Sequence, residues 1–264
     1  MRWLIRFCLF LLILPLAYFA AFPQIFRCQL IEHSSEFQQV NSQVWVDKTT
    51  PKHQRVYLLF EINEAKKRIQ TLWKSPAKGH ARVVFCQTPE QYERYCHDDE
   101  GAGCSLGTPW GDSWIIINPY GRNPDVLAHE MCHDEIFTRL GWLTTQRQIP
   151  QWFNEGLALM IDQRFTTATD SLRRYEEFHD QWQQQSLGQQ IVLQLNELES
   201  LQDFFSGNTN RVMLAYMTAG REVSRWLSVV GRQGLVTLVE AIQKGEDFEA
   251  VYQQIERSAH QKKE

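Results

Sequence analysis

Asn123-Pro124-Asp125-Val126-Leu127-Ala128-His129-Glu130-Met131-Cys132-His133-Asp134-Glu135-Ile136-Phe137-Thr138-Arg139-Leu140-Gly141 is the stretch that decides how this chain is read. It opens with a good N-cap residue, a proline at the first helical position and an acid in the first turn. Gly141 follows as a stop. Val126, Leu127, Ala128, Met131, Cys132, Ile136, Phe137 and Leu140 cover most of the circumference, and Asp134, Glu135, Thr138 and Arg139 form a narrow polar arc. The spacing therefore predicts a mostly buried helix. Within it stands H-E-x-x-H, His129 to His133. Residues four apart on a helix share a face, so the two imidazoles can hold one metal ion. A buried Glu130 beside them is costly unless something uses it. Zinc in such a site acidifies water at its open position, and a neighbouring carboxylate can take the proton and return it to a leaving amine.

A catalytic zinc usually has three protein ligands. Downstream runs Ile149-Pro150-Gln151-Trp152-Phe153-Asn154-Glu155-Gly156-Leu157-Ala158. Pro150 is expected to open a second helix reaching about Gln163, with Glu155 in its first half. Alone, Glu155 reads as an acid near a helix start; after H-E-x-x-H and a short connection it reads as the third ligand. Asp162, seven residues on and so roughly on the same face, is a candidate to orient a ligand histidine, or a solvated acid at the helix end. Cys132 is adjacent to His133 and reads as a small buried apolar residue rather than a ligand.

The pair H-E-x-x-H and P-x-W-x-x-E-G-x-A resembles the gluzincin metallopeptidases, in particular the bacterial peptidase MA-like domains. The likeness is concentrated in these two motifs and extends to the order of elements from about residue 53 to 257. It implies His129, His133 and Glu155 as ligands to one Zn²⁺ per chain and Glu130 as general base. It implies an α+β, zincin-like fold: a small mixed sheet packed on the metal-site helix, with a helical C-terminal part. Gluzincin aminopeptidases place an oxyanion-stabilising tyrosine well downstream of the Glu ligand, and Tyr216 stands at a comparable place; the other reading of Tyr216 is a core tyrosine with a bonded hydroxyl. In the family, a strand preceding the metal helix forms the edge of the active-site sheet and pairs with substrate. Ser113 to Asn118 is the strand expected there.

The rest of the chain sets the context. With 264 residues, 43% hydrophobic and 22% charged, it has the composition of one domain plus an appendage. A formal charge of −4 and no basic run exclude a nucleic-acid partner on electrostatic grounds. Residues 1–22 read as an export signal, with Arg2 and Arg6 near the start and Phe7 to Phe22 almost wholly apolar. It is either cleaved or kept as an anchor; no clean A-x-A decides between the two. This is the one segment expected to meet membrane, and the domain is expected outside the cytoplasm, periplasmic or otherwise extracytoplasmic. Cys28, Cys86, Cys96 and Cys104 fit an oxidising compartment, with up to two disulfides.

Residues 23–52 are polar and read as a linker or N-terminal extension, with a short strand at Val44-Trp45-Val46. Residues 53–258 form the peptidase-like domain and 259–264 a frayed tail. Inside the domain, Gln54 to Trp73 is expected as a helix, Ala81 to Cys86 as a strand and His97 to Gly107 as a loop. Helices are expected over Arg211 to Val230, stopped by Gly231, and again near Leu235 and Phe248. Two functions follow. One is zinc-dependent hydrolysis of peptide bonds in a peptide or protein substrate. The other is a non-catalytic envelope binding or assembly domain that keeps a structural or vestigial zinc site.

Overall fold

The computed structural model describes Trp3, residues 15–96 and residues 101–261. Arg2, Arg6, Cys8 and the first half of the apolar run, His97 with the start of its loop, and the last three residues of the tail lie outside the described residues.

Five strands form one mixed sheet in the order β1-β2-β3-β5-β4. β1 (Phe37–Asn41) and β2 (Val44–Asp47) are an antiparallel hairpin. β3 (Arg82–Phe85) runs parallel to β2 and to β5 (Ser113–Ile117), and β4 (Gly103–Gly107) closes the far edge antiparallel to β5. The inner strands are buried on both faces, as parallel strands covered on both sides must be. Alternation divides their side chains cleanly. Val44, Val46, Val83, Phe85, Ile115 and Ile117 enter the larger core, while Trp45, Val84, Trp114 and Ile116 enter a smaller one.

The larger core holds the long helices. These are α2 (Lys52–Trp73), α4 (Pro124–Leu140), α5 (Trp142–Gln148), α6 (Gln151–Ala158), α7 (Ser171–Gln185), α9 (Thr209–Gln243) and α10 (Phe248–Gln261), with the short α8 (Leu201–Phe204) before α9. Gly231, at φ 66° and ψ −178°, breaks α9 into two helices that meet at a kink, as its place after Val230 predicts. The smaller core is covered by α1 (Pro23–Gln29) and α3 (Pro89–Cys96). The molecule is thus a mixed α+β fold with a small mixed sheet.

Four expectations need correction. Residues 23–52 are not a linker. Ile25, Cys28, Ile31 and Phe37 from this stretch are buried in the smaller core, and two of its strands complete the sheet. The polar reading arose because β1 is an edge strand whose glutamines face outward. The edge strand beside helix α4 is β4, not Ser113–Asn118: β5 lies inside the sheet, between β3 and β4. β4 falls in the stretch read as a loop, since Gly103-Cys104-Ser105-Leu106-Gly107 has little intrinsic strand preference and is made a strand by its pairing with β5. At the other end, residues 259–261 continue α10, with His260 Nε2 3.8 Å from Glu256 one turn back.

Of the cysteines, Cys96 and Cys104 form a disulfide, and Cys28, Cys86 and Cys132 are buried thiols. One of the two allowed disulfides is therefore present. It ties the end of α3 to the edge strand.

Candidate metal centre

Helix α4 forms as its sequence dictates. Asn123 caps it by accepting from the backbone N–H of Asp125 and Val126, both at 2.9 Å. Its C-terminal neighbour Gly141 sits at φ 81°, where a side chain would be strained. β4 lies close along one side of this helix. A Cβ at Gly107 would come within 2.6 Å of the Phe137 ring, so glycine permits the approach. That closeness places Ser105 over Glu130: the serine Oγ lies 2.7 Å from Glu130 Oε2 and 2.9 Å from the Glu130 carbonyl.

His129 and Glu155 are buried, at 4% exposure each, and the His133 side chain is 15% exposed. Their donor atoms gather at one point. His129 Nε2 lies 3.1 Å from Glu155 Oε2, and His133 Nε2 lies 3.7 Å from Glu155 Oε1. One atom from each residue falls within 4.8 Å of the other two. A tetrahedral ion with bonds of about 2.0–2.1 Å separates its ligand atoms by about 3.4 Å, which the two measured spacings bracket. The outer ring nitrogens are turned away. His133 Nδ1 donates to Asn154 Oδ1 at 3.0 Å. His129 Nδ1 makes no well-aligned hydrogen bond and faces Asp162 Oδ2 at 3.3 Å. Gln151 Nε2 donates to Glu155 Oε1 at 2.7 Å. Acceptors facing the outer nitrogens favour each ring with Nε2 pointing inward, as a metal site requires. The donor set and its geometry fit a single ion.

No family model matches this chain, and no curated protein matches it.

Asp162 reaches His129 by a route other than the one expected. Helix α6 starts after Pro150 and ends at Ala158, so Asp162 does not share a helix face with Glu155. The chain turns back instead, and buried side chains clamp the turn. Arg174, 3% exposed, donates from Nη1 to the carbonyls of Leu159 (2.7 Å) and Asp162 (3.1 Å). Asp125 Oδ1 accepts from the backbone N–H of Gln163 at 3.1 Å. Asp162 itself is fully buried and takes a forked contact from Arg164, Nε to Oδ1 at 3.0 Å and Nη2 to Oδ2 at 2.5 Å.

The electrostatics follow from this packing. Burial disfavours a charged His129, but the carboxylates of Asp162 and Glu155 outweigh it and hold its pKa up to about 10 in the metal-free protein. Burial would raise Asp162, yet His129 and Arg164 bring it down to about 2. Glu155 likewise ends below the usual carboxylate range: burial pushes up, and His133 and then His129 pull harder down. An ion entering the site must therefore displace a proton from His129.

A cleft of about 1750 Å³ opens over this centre, lined among others by His129, Glu130, His133 and Glu155, by β4, and by Tyr216. Tyr216 lies on α9 with its ring 6.4 Å from that of His129 and against Phe204 and Phe205. Burial, with Glu155 and Glu130 next, keeps its hydroxyl protonated far above neutral pH. All six candidate residues, His129, Glu130, His133, Glu155, Asp162 and Tyr216, thus fall in one neighbourhood. Sequence reasoning missed three others: Ser105, Asn154 and Arg174. All three depend on tertiary packing.

Proposed function

We propose that this chain is a zinc-dependent peptidase of gluzincin type acting outside the cytoplasm. The observation that carries the reading is the convergence of His129, His133 and Glu155 with Glu130 held next to them but outside the ligand set. When bound, zinc would supply a Lewis acid and acidify water at its open position. Glu130 would then accept a proton at its carboxylate, with Ser105 holding the Oε2 side, and pass it to the departing amine. The Tyr216 hydroxyl, kept protonated, would donate to the oxygen that gains charge. Asp162 and Asn154 would hold the two ring orientations. The outer edge of β4 offers unpaired backbone groups to an extended peptide. A structural zinc site is normally closed by four ligands and rich in Cys; three ligands facing an open cleft favour catalysis over a binding module. Export is supported by the apolar N-terminal run and by the Cys96–Cys104 disulfide.

The test is turnover of a broad peptide pool by wild type and Glu130→Gln at matched zinc occupancy. Glutamine keeps the size but removes the base. Hydrolysis should fall roughly 10²–10⁴-fold while zinc content holds. Equal turnover would refute the role of Glu130, and no turnover in either protein would favour the binding module.

A further inference from the structure

Helix α1 and the residues that flank it carry apolar side chains in two directions. Ile25 and Cys28 are buried in the smaller core, while Phe22, Phe26 and Leu30 are 45%, 46% and 43% exposed. Their spacing of four residues, with backbone N–H of Phe26 and Leu30 bonded to the carbonyls of Phe22 and Phe26, makes them one helical row. A contiguous exposed apolar row of this kind marks a surface that something other than water covers. The row is part of a larger patch. Trp110, in the turn between β4 and β5, is 52% exposed, and its ring lies 5.2 Å from Tyr18 and 6.2 Å from Phe19. Phe19 in turn lies 5.3 Å from Phe26. The indole N–H of Trp110 already donates to Asp112 Oδ2 at 2.9 Å, and the same oxygen accepts from Gln29 Nε2 at 2.7 Å. The polar atom is satisfied inside the protein, and the ring is what Trp110 presents outward.

We propose that this face, formed by Phe22, Phe26, Leu30 and Trp110, rests on a lipid bilayer. The identity of the occupant comes from the chain itself. Phe7-Cys8-Leu9-Phe10-Leu11-Leu12-Ile13-Leu14 is eight apolar residues long, lies outside the described residues, and joins the structure at residue 15, beside the patch. Kept as an anchor, a segment of that composition lies in lipid, and partly exposed aromatic rings next to it match the chemistry of the membrane–water interface. Folding the patch onto lipid also removes a contiguous apolar surface from water. The third side of α1 meets the cleft, where Gln24 is buried with its Oε1 unpartnered. If the peptidase reading above holds, the cleft lies beside the membrane surface and its substrates are chain segments that emerge there.

The test needs no turnover, so it stands apart from that reading. The full chain is reconstituted into phosphatidylcholine vesicles with brominated acyl chains, which quench tryptophans in contact with lipid. The emission assigned to Trp110 is the difference between wild type and Trp110→Phe. The proposal expects that difference to lose most of its intensity in brominated vesicles and to keep it in unbrominated ones. An unquenched Trp110 would overturn it and would mean that protein, such as the upstream segment folded back, covers the patch. Disulfide-linked dimers formed in high yield by Phe26→Cys in the vesicles would also overturn it, in favour of a second copy of the chain.

Discussion

Helix α4 meets buried acid on two sides, its own toward the sheet and that of α6 and the following turn at the cleft, and the two sides treat it differently. Toward the sheet, Asp134 and Glu135 are 5% and 1% exposed. Every oxygen they own has a fixed donor. Asp134 accepts from Ser113 Oγ (2.7 Å) and the Ala81 N–H (2.9 Å). Glu135 accepts from the Lys78 and Gly79 N–H groups (2.8 and 2.7 Å) and from Arg139, whose guanidinium also lies 4.1 Å over the Trp73 ring. Backbone amides cannot give up a proton, so this side is a latch that fixes the loop after α2 to the helix. On the other side Glu155 faces His129 Nε2, a nitrogen that can exchange its proton for a metal ion, and Asp162 faces the outer Nδ1 of the same ring. Burial of an acid is therefore no sign of function by itself. The sign is a partner that can let go.

The largest expected effect sharpens this contrast. Arg139→Ala leaves Glu135 buried without its counter-ion and should lower the unfolding free energy by about 3–5 kcal/mol. Zinc bound per folded molecule should not change. Denaturant unfolding with metal analysis of the folded fraction checks both, and loss of zinc from well-folded protein would merge the two sides into one network. Gly156→Ala ranks next. The new methyl would sit 2.5 Å from Val223 Cγ2 and 2.6 Å from the Ala219 carbonyl, pushing α6 off α9. A cost of about 1–3 kcal/mol is expected, with weakened zinc binding because Glu155 is the neighbouring residue. Unchanged stability and zinc affinity would show that the close packing is not what seats Glu155.

Ser105→Ala removes one hydrogen bond to Glu130 and should cost about 1.5–3 kcal/mol of transition-state stabilisation if that carboxylate works ionised. The loss would appear in kcat with zinc content intact.

The last expected effect is a pH slope. In metal-free protein the folded pKa of His129 is raised to about 10. Its contribution is then fully present below the unfolded value of about 6.5 and is lost as pH rises through about 10. With zinc bound, the ring is neutral in the folded state and this slope disappears. Melting temperatures measured across that window with and without chelator should differ in slope, and parallel curves would argue against a charged His129 in the empty site.

Much of this centre could be read directly from residues. His129, His133 and Glu155 are set by helical spacing and by a second helix that must pack on the first. Asn123, Gly141 and Gly231 mark element ends because their local geometry is their own. The parts that could not be read are those that tertiary pairing creates. β4 became a strand through β5, and only then did Ser105 meet Glu130. Asp162 was assigned to a helix face, whereas the helix stops at Ala158 and Arg174 folds the turn back onto His129. The N-terminal stretch reads as a linker because its buried residues before the hairpin, Ile25, Cys28, Ile31 and Phe37, are interspersed with glutamines and charged residues.

The most direct test of the central claim is the zinc content of the purified protein beside that of Glu155→Ala and Arg139→Ala. The account predicts about one zinc per chain in wild type and in folded Arg139→Ala, and almost none in Glu155→Ala. Full zinc in Glu155→Ala, or none in wild type prepared with zinc and without chelator, would contradict it.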